Sequence, residues 1–103
     1  MTNKIKLCLI DEVLEGTAIR VDTEGRAFAV YNVAGQFFVT DDTCTHGPGS
    51  LSEGFIDGHI VECNFHNGQF DIRTGEVVAP PCIIPLKTYP AIVEDDAVFI
   101  NID

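Results

Sequence analysis

Cys44-Thr45-His46-Gly47-Pro48-Gly49-Ser50-Leu51 and Cys63-Asn64-Phe65-His66-Asn67-Gly68-Gln69-Phe70 are the two stretches whose reading decides this chain. Each offers one thiol and one imidazole, spaced Cys-x-His in the first and Cys-x-x-His in the second. Sixteen residues separate His46 from Cys63. In their midst Phe55–Ile56 and Ile60–Glu62 flank Asp57-Gly58, a strong hairpin signal. Such a hairpin returns the chain to its starting edge, so the two flanking loops emerge side by side at one end of a small sheet. Four ligands then converge. Mixed thiolate and imidazole ligation suits a tetrahedral zinc or a [2Fe–2S] centre with His on its second iron.

The remainder of the chain reads as strands. Period-2 alternation and β-branched or aromatic residues dominate, with turn dipeptides every eight to twelve residues. Strands are predicted at Lys4–Leu9, Thr17–Asp22, Ala27–Val33, Gln36–Thr40, Phe55–Ile56, Ile60–Glu62, Phe70–Ile72, Leu86–Thr88, Ala91–Glu94 and Val98–Ile102. Glu24-Gly25, Ala34-Gly35, Thr74-Gly75 and Asp95-Asp96 supply turns. One short helical turn is expected near Leu9–Leu14, and no amphipathic helix of useful length. The fold class is all-β, a small antiparallel sandwich or barrel with a site formed by two loops at one end. At 103 residues the chain is one domain spanning 1–103. A chain of that size removes roughly 60–70% of its unfolded surface from water, enough for a modest core.

Charge narrows the function. The net charge is −10, from 16 acidic and 6 basic residues, which argues against nucleic acid and anionic membrane as partners. No Lys or Arg lies between Arg26 and Arg73, yet Asp41, Asp42, Glu53, Asp57, Glu62 and Asp71 all do. Solubility and electrostatic steering toward a basic partner both follow from such an excess. The apolar run before Asp11 and Glu12 is too short for a signal-peptide core. No segment reaches the roughly 20 apolar residues of a membrane span. A cytoplasmic location is expected, where four cysteines point to metal before disulfides.

Zinc and iron–sulfur make different demands. Structural zinc usually nucleates domains that lack a core, from Cys-x₂₋₄-Cys pairs; Cys-x-His is tighter, and this chain has apolar strands enough for its own core. Two irons need two ligands each. One iron can take both thiolates and the other both imidazoles, which raises the potential into a range of roughly −150 to +300 mV.

Cys44-x-His46 followed by Cys63-x-x-His66-x-Gly68-x-Phe70-Asp71 resembles the Rieske iron–sulfur motif, and the likeness extends to Leu51 and Thr74-Gly75. Pro80-Pro81 falls where Rieske proteins carry a proline-containing loop over the cluster. The chain is most similar to the stand-alone ferredoxins of bacterial aromatic-ring-hydroxylating dioxygenases. That resemblance implies the Rieske fold, a cluster-binding portion of about 41–82, and one [2Fe–2S] cluster. Cys44 and Cys63 would hold one iron, His46 and His66 the other. It implies a monomeric one-electron carrier in aromatic hydrocarbon catabolism, between a flavoprotein reductase and a terminal non-haem iron oxygenase, with no catalytic residue of its own. A small Rieske subunit of a nitrite reductase, or a zinc-stabilised interaction module, are the alternatives. Respiratory Rieske proteins carry an extra Cys in each loop and Ser and Tyr hydroxyls near the cluster. Here Gly49, Phe65, Gly68 and Phe70 stand at those positions, which implies a low potential, and Asn64 replaces a common Pro.

Elsewhere, Cys8 and Cys82 read as apolar fillers and His59 as an exposed turn residue. Phe37 and Phe38 face opposite ways, one inward and one outward, and Asp41-Asp42 reads as a solvated face.

Overall fold

The computed structural model describes residues 3–43, 49–63, 68–79 and 84–102. Eleven strands run through these: β1 (Asn3–Leu9), β2 (Thr17–Thr23), β3 (Arg26–Val33), β4 (Gln36–Asp41), β5 (Phe55–Asp57), β6 (Ile60–Glu62), β7 (Gln69–Asp71), β8 (Val77–Ala79), β9 (Thr88–Tyr89), β10 (Ile92–Glu94) and β11 (Ala97–Ile102). Two 3-10 turns, Ile10–Glu12 and Leu51–Glu53, complete the described elements. The first lies within the helical turn expected at Leu9–Leu14. All pairings are antiparallel, in sheets ordered β1-β11-β10, β2-β3-β4-β9 and β5-β6-β7-β8. The all-β architecture is as the sequence pattern predicts.

The second sheet is the middle layer, and its two faces build two cores. Along β3, Phe28 and Val30 point into a cluster with Leu7, Val98 and Ile100. Ala29 and Tyr31, on the opposite face, join Leu51, Val61, Phe70 and Leu86. Burial along β3 is therefore continuous from Phe28 to Asn32, without the alternation of a half-exposed strand. Phe37 packs against the first core and Phe38 against the second. The expected outward phenylalanine thus faces a second layer, because the sheet bearing the site is laid over that side.

Where strands must bend, the backbone shows how. A register shift between Lys6 and Cys8 lets consecutive Leu7 and Cys8 both point inward. Glu24-Gly25, Ala34-Gly35 and Asp95-Asp96 have positive φ at both positions, the type I′ pattern matched to strand twist. Asn32 steadies the Ala34 turn: its Oδ1 accepts the Gly35 N–H at 3.0 Å, and its Nδ2 donates to the Val13 carbonyl at 2.8 Å.

Four expectations shift. The hairpin turn is Gly58-His59, since Asp57 pairs with Ile60; φ is positive only at Gly58, the type II′ pattern. β7 begins at Gln69 and ends at Asp71, although the Ile72 N–H still donates to the His59 carbonyl at 2.9 Å in the same β6–β7 register. β9 begins at Thr88, because the Leu86 N–H is bound to Gly75. β8 was not expected at all. Val77-Val78 favours a strand, but three residues are too few to fix one, and β7 supplies the edge that does.

Candidate metal centre

The β5–β6 hairpin positions the site from below. Ile56 and Val61 face the second core, and β6 delivers the chain from Glu62 directly to Cys63. Cys63 is fully buried, with 0% exposure, and is not in a disulfide. Its N–H donates to the Gly68 carbonyl at 2.7 Å, so residues 63 and 68 close a tight loop whose remaining four positions include His66. The first loop is closed the same way. Thr43 bridges Ser50, and the Leu51 N–H donates to the Asp42 carbonyl at 2.8 Å. Cys44, His46 and His66 themselves lie outside the described residues, as do Pro80, Pro81 and Cys82.

The anchors of these loops are packed together. A Cβ on Gly54 would stand 2.1 Å from the Glu62 carbonyl oxygen. Only glycine allows the arm leaving the first loop to touch the strand that enters the second. Gln69, beside Gly68, pairs with Ala79, so β8 ends next to the exit of the second loop. Further on, the Leu86 N–H donates to the Gly75 carbonyl at 2.7 Å. Asp71 holds the Thr74-Gly75 turn: its carbonyl accepts the Gly75 N–H at 2.7 Å, and its carboxylate takes Arg73 Nη2 at 2.9 Å. The hydrogen-bonded Arg73 guanidinium keeps the Asp71 carboxyl below its usual range.

The donor chemistry fits a cluster. Cys63 packs among Leu51, Val61, Phe70 and Leu86 and is shut off from water, a setting suited to a soft thiolate-bound metal. Two thiols and two imidazoles on paired loops are the set a Rieske centre takes. Among the described residues no group of three or more His, Cys, Asp or Glu is placed to hold a metal.

Other sequence assignments sort differently. Cys8 is buried in the first core as expected, and burial, with the Glu12 charge, pushes its thiol up to about 11. His59 is half-buried, not an exposed turn residue: its ring, in the β5–β6 turn, meets Phe38 of β4 edge-on at 5.5 Å. Asp42 is no part of a solvated face. It is 1% exposed, because Ser50 and Ser52 fold back over it. Sequence reasoning missed it for want of a signal, since only the fold brings those serines across an acidic pair.

Comparison with known proteins agrees with this geometry. The Rieske [2Fe-2S] domain family matches residues 3–90. The ferredoxin component of the p-cumate 2,3-dioxygenase system of Pseudomonas putida is 48% identical, over 99% of this chain and 88% of that protein. The solved structure of Sphingomonas yanoikuyae B1 ferredoxin superposes with a TM-score of 0.93 at 50% identity, covering 98% of this chain and 100% of that one. The ferredoxin in a complex of reduced oxygenase and oxidized ferredoxin of carbazole 1,9a-dioxygenase gives 0.88 at 42% identity, covering 94% and 91%. The chain belongs to the Rieske [2Fe-2S] domain family, and that membership implies one Rieske-type [2Fe–2S] cluster.

Proposed function

We propose that this protein is a soluble, cytoplasmic and monomeric one-electron carrier, taking electrons from a flavoprotein reductase and delivering them to a terminal aromatic-ring-hydroxylating oxygenase. One domain spans 1–103, with a cluster-binding portion of about 41–82. Cys44 and Cys63 hold one iron of the cluster; His46 and His66 hold the other. The cluster supplies a one-electron couple when bound, and the protein by itself transforms no substrate. The observation that carries the reading is Cys63: a fully buried thiol at the mouth of one closed loop, with the arm of the second closed loop packed against its strand. Relatives that are ferredoxin components of dioxygenase systems support the free carrier over a permanent nitrite reductase subunit. No helix among the described residues is long and apolar enough to cross a membrane.

The potential follows from what surrounds the sulfurs. Phe70 is fully buried and has no hydroxyl, and Gly68 has no side chain. Fewer hydrogen bonds to sulfur stabilise the reduced, more negative cluster less. The midpoint is expected near the low end of the Rieske range, about −150 mV. An EPR spectrum of the dithionite-reduced protein, with iron, sulfide and zinc quantified on one sample, tests the reading. A rhombic Rieske signal with equal iron and sulfide, lost in both His46→Ala and His66→Ala, is the expected result. A colourless protein with stoichiometric zinc would overturn the carrier, and a surviving signal in either variant would overturn the ligand assignment.

A further inference from the structure

Asp42 is a buried carboxylate lying across the base of the first ligand loop. Its Oδ2 accepts the Ser50 hydroxyl at 2.6 Å, and its Oδ1 accepts the Ser52 N–H at 2.8 Å. The same residue's carbonyl accepts the Leu51 N–H at 2.8 Å, while its own N–H donates to Ala27 of β3 at 3.0 Å. One residue therefore ties the 50–52 arm to the middle sheet. The Thr43–Ser50 bridge then leaves 44–49 as a loop with both ends held. Arg20 Nε, 3.9 Å from Oδ2 and itself half-exposed, lies beside the charge without capping the loop. A carboxylate kept merely for solubility would be in water; this one has exchanged water for contacts that all lead to the arm or the sheet.

We propose that Asp42 is a positioning residue for the Cys44–His46 loop, setting the separation and direction of its ends so that both ligands close on the cluster in one geometry. The proposal rests on the ligand assignment above. Groups that orient metal ligands typically change metal affinity 10–100-fold when removed.

The test uses the cluster-loaded protein, as parent, Asp42→Ala, Asp42→Glu and Asp42→Asn, with Asp57→Asn as a control on an exposed acid. EPR g-values and the rate of iron loss to a ferrous chelator are read at a temperature where far-UV CD remains native. The parent's Rieske spectrum is recorded first; its absence overturns the ligand assignment and this inference with it. With it present, only Asp42 is at issue. Asp42→Ala loses both acceptors, and Asp42→Glu keeps the charge but pushes the arm outward. Both are expected to lose iron about 10–100-fold faster than the parent, with shifted g-values. Asp42→Asn can accept from Ser52 and donate to the Ser50 oxygen, so it is expected to match parent and control. Parent-like g-values and iron loss in Asp42→Ala and Asp42→Glu would overturn the proposal. Asp42→Asn decides even if the other two do not accumulate: altered g-values or fast iron loss in that variant would show that charge, not position, is what matters.

Discussion

Gly75 shows how a single atom can be excluded. Its φ is +81°, and a Cβ there would stand 1.9 Å from the Leu86 carbonyl oxygen, on a segment already hydrogen-bonded to Gly75. Gly75→Ala is expected to cost about 2 kcal/mol or more, lowering the melting temperature on the order of 10 °C. A melt within two or three degrees of the parent would mean that the Leu86 segment moves aside freely. Titratable residues give a second test. Burial pushes Cys8 up to about 11, and burial with the Asp41 acceptor pushes Tyr89 up to about 12. The unfolded chain loses these protons first, near pH 9 for the thiol and 10 for the phenol. The stability they contribute is complete below pH 9 and is lost as pH rises through 11 and then 12. Denaturation midpoints measured from pH 7 to 12 should fall from about pH 9 onward, and Cys8→Ala should delay the onset to about pH 10.

At the scale of elements, β4 is held between two cores, and neighbouring phenylalanines report on different ones. Phe37 belongs to the first core; Phe38 supports the second and meets His59 in the turn that joins β5 to β6. Both rings are half-buried, so truncation to Ala should cost about 2 kcal/mol each, less than for a fully buried ring. Only Phe38→Ala should also hasten iron loss, since it alone undercuts the hairpin that delivers Cys63. Equal iron loss in the two variants would break the link between that hairpin and the site. The elements misplaced from sequence share one cause. β7, β8 and β9 have two or three residues each, and partners set them: β6 pairs with β7, Gly75 takes the Leu86 N–H, and β7 supplies an edge to Val77–Ala79. Alternation over so few residues carries no register.

For the whole molecule, charge is the lever. The net charge is −10, but the acids of the site-bearing half are not equivalent. Asp42 is buried, Asp71 is tied to Arg73, and Asp41 takes the Tyr89 hydroxyl at 2.7 Å, while Glu53 and Asp57 remain exposed. The steering field toward a basic partner is carried by the exposed ones. Electron delivery to the proposed oxygenase should therefore slow on the order of tenfold or more between 0.02 and 0.5 M NaCl, as screening shortens from tens of ångströms to a few. Stopped-flow oxidation of the reduced carrier measures this directly. A rate independent of salt would assign docking to apolar contact instead.

What the sequence by itself determined was chemistry and periodicity. Cys44, His46, Cys63 and His66 are the proposed ligands on residue type and spacing alone, which need no coordinates to be read. The long strands β1 to β4 and β11 announce themselves because six to eight strand-favouring residues in a row outweigh local ambiguity. Only the tertiary structure decided what lies on the far side of each strand. It turned the outward face of β3 and β4 into the floor of a second core, brought Ser50 and Ser52 over Asp42, and pressed Gly54 against Glu62 and Gly75 against Leu86. Those are contacts between residues distant in the chain or closed by a loop. Their energies depend on the final packing, and no local pattern encodes them.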